Sequence, residues 1–168
     1  MPTPHELEQA FWKALKSDMT VMLSAVKVEE GHARPMTAQL DEEQTGSESG
    51  PIWFFTAHDT ALAQTLASGG GTRGLFTFAS KSHGLFATVH GDMSIDNDRE
   101  VIDRLWNPHV AAWYEHGKDD PTLRLLRFDP DQAEIWENGS SLIAGVKALF
   151  GVDPKKDYKD KVAKVSLG

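Results

Sequence analysis

No cysteine occurs anywhere in the 168 residues, so disulfides, thiolate metal sites and cysteine nucleophiles drop out at once. Basic charge is also short. The 17 Lys and Arg face 25 Asp and Glu, a net charge of −8, and that sign opposes the field a phosphate backbone needs, which speaks against nucleic acid as a partner. No run approaches the roughly 20 apolar residues that span a bilayer. The opening MPTPHELEQAFWKALKSD mixes acids into its apolar positions, where a secretory leader would carry a basic head and an unbroken apolar core. These features predict a soluble, cytoplasmic protein with no membrane contact.

What is present suits one core. With 40% hydrophobic and 25% charged residues the chain has enough apolar surface to bury and enough charge to stay in solution. The expected organisation is a single domain over residues 1–150 and a lysine-rich C-terminal tail over 151–168. Thr3-Pro4-His5-Glu6 reads as a capping box with proline in the first turn, opening a helix that runs to about Asp18. Residues 20–28 and 33–40 read as a strand pair about the turn Glu29-Glu30-Gly31-His32. The acidic, glycine-containing stretch 41–50 has no apolar residue and reads as a solvated loop.

Ile52 to Thr56 is too short an apolar run for a helix and suits a strand buried on both faces. His58-Asp59-Thr60 can cap a following helix through Leu62, Ala63 and Leu66, which Gly69-Gly70-Gly71 stops. Strands are expected over 73–79 and 85–95, then a helix after Asp96-Asn97-Asp98 that Pro108 restarts or kinks. Residues 123–136 read as a strand with a bulge or turn at Phe128-Asp129-Pro130-Asp131, and 138–150 as a short helix. Strands that follow one another directly favour antiparallel pairing. The fold class is therefore mainly β with peripheral helices, a small barrel.

Few motifs carry chemistry by themselves. GGGTR, residues 69–73, lacks the lysine spacing of a phosphate loop and ends a helix where a dinucleotide fingerprint would open one. His109 and His116 have no third ligand at metal spacing, so no metal site is expected. No Gly-x-Ser-x-Gly elbow anchors a hydrolase. Five tryptophans, at 12, 53, 106, 113 and 136, serve core packing or a flat aromatic ligand.

Taken in order, Ala33-Arg34-Pro35-Met36, Ile52-Trp53-Phe54-Phe55-Thr56, Val89-His90-Gly91, Leu105-Trp106-Asn107-Pro108 and Ala133-Glu134-Ile135-Trp136 resemble the FMN-binding split-barrel proteins similar to pyridoxamine-phosphate oxidase. Within them the resemblance is to the bacterial general-stress-protein branch, and it runs from about residue 5 to 150. It implies a six-stranded antiparallel split β-barrel and a homodimer whose two flavin sites lie between subunits. By the same resemblance Arg34, Pro35 and Met36 line the flavin, and Phe55 and Thr56 end a strand at its ring. Thr60 keeps the hydroxyl of a phosphate motif whose lysine is replaced by Leu62, so that either Lys81 and the amides opening the second helix compensate or FMN binds weakly. Trp136 matches a tryptophan that reaches the flavin from the partner subunit.

The resemblance also sets a limit. Leu142 and Val146 stand where pyridoxamine-phosphate oxidase holds its substrate phosphate with arginines, which argues against that activity because a bound dianion would lack its partners. Two forms of function stay open. One is an FMN-dependent oxidoreductase of unspecified substrate, related to stress responses. The other is a non-enzymatic binder of flavin or of another small molecule such as haem. No residue is singled out as a catalytic acid or base.

Overall fold

The computed structural model describes residues 2–45, 49–138 and 162–167. Helix α1 (Pro4–Asp18) opens on the expected capping box: the Glu6 amide donates to Thr3 Oγ1 at 3.2 Å, and the Thr3 amide donates back to the Glu6 carboxylate at 2.6 Å. Leu7, Phe11 and Leu15 lie on one face and are fully buried, which docks the helix across the barrel.

Among the described residues eight strands form one antiparallel sheet: β1 (Thr20–Ala25), β2 (Arg34–Thr37), β3 (Gln39–Leu40), β4 (Ile52–Ala57), β5 (Thr72–Ala79), β6 (Leu85–Ile95), β7 (Leu123–Glu137) and β8 (Val162–Ser166). Their order is β2-β1-β5-β6-β7-β4-β3, with β8 also on β7. The two ends of that order are consecutive in the chain, joined only by Ala38, so the sheet curls into a nearly closed barrel. At the seam, β2 bonds to β1 while β3 bonds to β4. The barrel is split along this line.

Several expectations are corrected here. The second strand, read as one element over 33–40, is two strands that belong to opposite edges of the seam, and the first strand stops at Ala25 rather than reaching 28. The split barrel stands as expected, but the described residues contain eight strands rather than six, because short β3 and terminal β8 were not visible as strands. β8 pairs with the C-terminal half of β7, from Gln132↔Ser166 to Trp136↔Val162, while β4 pairs with its N-terminal half; the lysine-rich composition of the tail hid this strand. The stretch 41–50 is not wholly a solvated loop: α2 (Glu42–Thr45) lies within it and Asp41 is buried. Asp41 receives three hydrogen bonds from Arg104, at 2.7 to 3.1 Å. The helix expected over 138–150 lies outside the described residues apart from its first position.

The expected irregularity in β7 appears as a register shift, not a break. β7 is continuous, and between the pairs His90↔Gln132 and Gly91↔Pro130 it contains one extra residue, Asp131. Pro130 thus sits beside a bulge, where its missing donor is tolerated. Period-2 burial supplies the barrel interior, with Phe76 and Phe78 from β5, Leu85, Ala87, Val89 and Met93 from β6, and Phe128 and Ile135 from β7. Phe54, Phe76 and Phe128 pack edge-on or tilted with centroids 5.2 to 6.5 Å apart, the geometry aromatic quadrupoles favour.

β4 is buried on both faces, as its unbroken apolar run predicts. Phe54 points into the barrel, while Trp53 packs outside with Val101, Ile102, Leu105, Val110, Tyr114, Leu123 and Leu125. That outer cluster is closed by α4 (Arg99–Leu105) and α5 (Pro108–Ala111), capped by Asp98 and Asn107. Helix α3 (Ala61–Gly69) follows β4 after three residues and ends on Gly70 in the left-handed conformation at φ 74°.

Candidate functional site

β4 runs out at the seam, and its last residues open two adjoining cavities. One, of about 510 Å³, is bounded by Pro35, Met36 and Thr37 of β2, Phe55 and Thr56 of β4, and Val110, Trp113 and Tyr114 at α5. The other, of about 330 Å³, is bounded by Ser24 and Val28, by Glu29, His32 and Arg34, and by Leu62 of α3. Pro35, Met36, Thr56 and Thr60 line both. Six of the residues singled out from sequence, Arg34, Pro35, Met36, Phe55, Thr56 and Thr60, thus converge on one place, although 18 positions of chain separate Met36 from Phe55.

The other two lie elsewhere in this chain. Lys81 follows β5, and its amide donates to the Asp18 carboxylate at 2.7 Å at the end of α1. Trp136 stands in β7 opposite Phe86 and Val162. Neither lines the cavities. For Trp136 the implied contact runs across a subunit boundary.

The polar groups are few. Thr60 caps α3: its Oγ1 accepts from the Ala63 amide at 3.2 Å and donates to the Ala57 carbonyl at 3.0 Å, with Thr56 Oγ1 3.4 Å away. Its proton is therefore committed to the turn. The amides of Ala61 and Leu62, in the first turn, have no acceptor within the helix and carry its positive end. Leu62 presents an apolar side chain to the smaller cavity where a lysine would bring charge. Arg34 is the one Lys or Arg side chain among the residues bounding the two cavities, and its guanidinium is paired with Glu29.

Of the aromatic wall, the sequence offers Trp106 and Trp113 only among five tryptophans open to core packing or a flat ligand, and Tyr114 not at all. Tyr114 donates its hydroxyl to the Thr56 carbonyl at 2.7 Å, tying α5 to the end of β4. Phe55 meets Trp106 at 6.3 Å in an edge-on contact and Tyr114 at 6.4 Å, and Trp106 meets Tyr114 at 6.1 Å. Burial, with the Asp120 carboxylate as a smaller cause, pushes the Tyr114 phenol up to about 12, so it remains a donor throughout the neutral range. Asp120 holds the turn beyond α5. It accepts from Thr122 through hydroxyl and amide and from the His116 amide, which draws its carboxyl down to about 2. Trp113, in contrast, is 84% exposed at the mouth of the larger cavity. The signal was present in LWNPHVAAWYEHG, where Trp106 and Tyr114 fall eight apart, but a restart at Pro108 makes their facing unreadable from helical spacing.

A phosphorylated flavin asks three things of a site: an apolar slot for the ring, hydrogen-bonding backbone along its polar edge, and a cation or amide set for the phosphate. Pro35, Met36 and Phe55 meet the first, the ends of β2 and β4 the second, and Arg34 with the α3 amides the third. The residues fit the group. A metal centre has no comparable support, since no cluster of three or more His, Asp or Glu stands together among the described residues.

Comparison with known proteins assigns the chain to a family. The family model described as Pyridoxamine 5'-phosphate oxidase like matches residues 6–158. A general stress family protein from Xanthomonas campestris pv. campestris is similar at 59% identity over 84% of this chain and 93% of its own, with a TM-score of 0.75. The general stress FMN/FAD binding protein from Xanthomonas citri is 57% identical over 81% of this chain and 92% of its own, with a TM-score of 0.74. General stress protein 26 of Bacillus subtilis (strain 168) is 26% identical over 89 residues; the match spans 52% of this chain and 63% of that relative's length.

Proposed function

Because the chain belongs to the pyridoxamine 5'-phosphate oxidase-like family, with general stress proteins among its relatives, we propose that it binds FMN at the barrel seam. The observation that carries this reading is the convergence of Arg34, Pro35, Met36, Phe55, Thr56 and Thr60 on the two adjoining cavities. The FMN/FAD binding ascribed to the Xanthomonas citri relative supports it. A bound flavin would supply the electron transfer. Arg34 and the first amides of α3 hold the phosphate end. Pro35 and Met36 give one apolar face, the end of β4 positions the ring edge, and Trp106 with Tyr114 keeps water from the wall behind Phe55.

In this proposal the protein works as a cytoplasmic homodimer, with the sites between subunits and Trp136 of one chain closing the site of the other. It acts as a flavin-dependent oxidoreductase in a stress response, not as a pyridoxamine-phosphate oxidase. The test is direct. Purified protein should show flavin absorption bands or acquire them on FMN titration, run as a dimer by light scattering, and have its flavin reduced by NADH or NADPH. A haem Soret band, or a colourless protein that resists FMN, rejects the cofactor. Bound flavin that no nicotinamide reduces favours a non-enzymatic binder.

A further inference from the structure

The one arginine at the cavities is already engaged. Glu29 reaches Arg34 from the turn joining β1 to β2, and that turn is built in an unusual conformation. Glu29, Glu30 and Gly31 stand in succession at φ 47°, 58° and 77°. Glycine takes this left-handed region freely, but a side chain meets the following carbonyl there, so two consecutive glutamates are held at a cost. Local bonds close the turn: Val28 N to Ala25 O at 3.1 Å, Gly31 N to Val28 O at 2.9 Å, and His32 N to Glu29 O at 3.0 Å. The ion pair does not account for the strain through stability, since its side chains are 42% and 51% exposed and such pairs contribute little. Strain kept where folding gains little from it points to the site itself.

We infer that Glu29 competes with the anionic end of the ligand for Arg34 and so sets the charge preference of the pocket. This rests on the flavin reading above and deepens it. A phosphate dianion entering beside Arg34 must displace the Glu29 carboxylate or tolerate it nearby, and like-charge juxtaposition is unfavourable in a partly desolvated site. Leu62 offers no second cation to offset this. A flavin without phosphate does not face that conflict. Glu29 therefore narrows the advantage of FMN over riboflavin, whose ring is the same.

The experiment compares FMN and riboflavin by flavin fluorescence titration on the full chain and on Glu29→Gln. FMN should bind about tenfold more tightly to the variant, and riboflavin should change by less than about twofold. Glu29→Asn serves as a second variant because asparagine tolerates the left-handed region, and it should give the same shift if Glu29→Gln folds poorly. In an Arg34→Ala background the gain should fall to about twofold or less, because only the direct repulsion between Glu29 and the phosphate then remains. Unchanged or weakened FMN binding in both variants, or a gain that persists in full without Arg34, would overturn the competition and leave the flavin reading standing. If neither flavin binds the unaltered chain, both fall.

Discussion

Gly91 and Gly74 face each other across β5 and β6, yet adding a methyl group at the two positions should have unequal consequences. At Gly91 a Cβ would lie 2.4 Å from the Asp129 carbonyl oxygen, 2.9 Å from its carbon and 2.6 Å from Phe128 Cε1. The oxygen is backbone beside the bulge of β7, so relief requires moving one strand against the other by roughly 1 Å along the longest ladder of the sheet. Overpacking of this kind costs about 3 kcal/mol. At Gly74 the nearest atoms the added Cβ would meet are Cε, Sδ and Cγ of Met93, at 2.6 to 2.9 Å. Methionine can rotate away, although Met93 is buried, and about 1 kcal/mol is expected. Urea denaturation at one fixed protein concentration measures both, the concentration being held because association would shift the apparent values. In a Met93→Ala background Gly74→Ala should become neutral or stabilising, since the new methyl fills part of the space vacated. Gly91→Ala costing less than Gly74→Ala, or less than about 0.5 kcal/mol, would refute the geometry of the bulge.

The remaining predictions concern the site. Alkaline titration followed at the phenolate absorbance should show a tyrosine ionising near 12; because burial raises its folded value, stability is complete below about 10 and declines as pH rises to 12. Tyr114→Phe should remove that part of the decline and cost about 1 kcal/mol at neutral pH through the lost bond to Thr56; a tyrosine pair titrating together near 10 contradicts it. Thr60→Ala should destabilise by about 1 kcal/mol through loss of the α3 cap, and Thr60→Ser by much less, as read by thermal denaturation. Leu62→Lys should tighten FMN binding by about tenfold without altering riboflavin. Equal affinity for FMN before and after would mean that Arg34 and the helix amides already satisfy the phosphate.

Much of the fold could be read because strong local signals coincide with tertiary roles. The Thr3-Glu6 box, the Thr60 cap, the Gly70 stop and the alternation of β5 and β6 all act within a few residues. Pro130 announced its bulge by what it cannot donate. The seam was opaque for the opposite reason: nothing local tells residues 33–40 that Ala38 must separate two strands bonding to opposite edges of the barrel. Asp41 likewise looked solvated because its partner Arg104 lies 63 positions away. At the site, Arg34, Pro35, Met36 and Thr56 were legible through the resemblance of short motifs. The contributions of Glu29, Trp106 and Tyr114 depend on a strained turn and on helices meeting a strand end, which spacing does not encode.

The central claim is that the seam holds FMN through Arg34. Titrating the purified chain and Arg34→Ala with FMN under flavin fluorescence tests it most directly. The account predicts saturable binding of one flavin per chain, weakened about tenfold or more by Arg34→Ala, with the variant's thermal stability close to that of the unaltered protein because its ion pair is half exposed. Failure of FMN to bind saturably, or equal affinity in the two proteins, would contradict it.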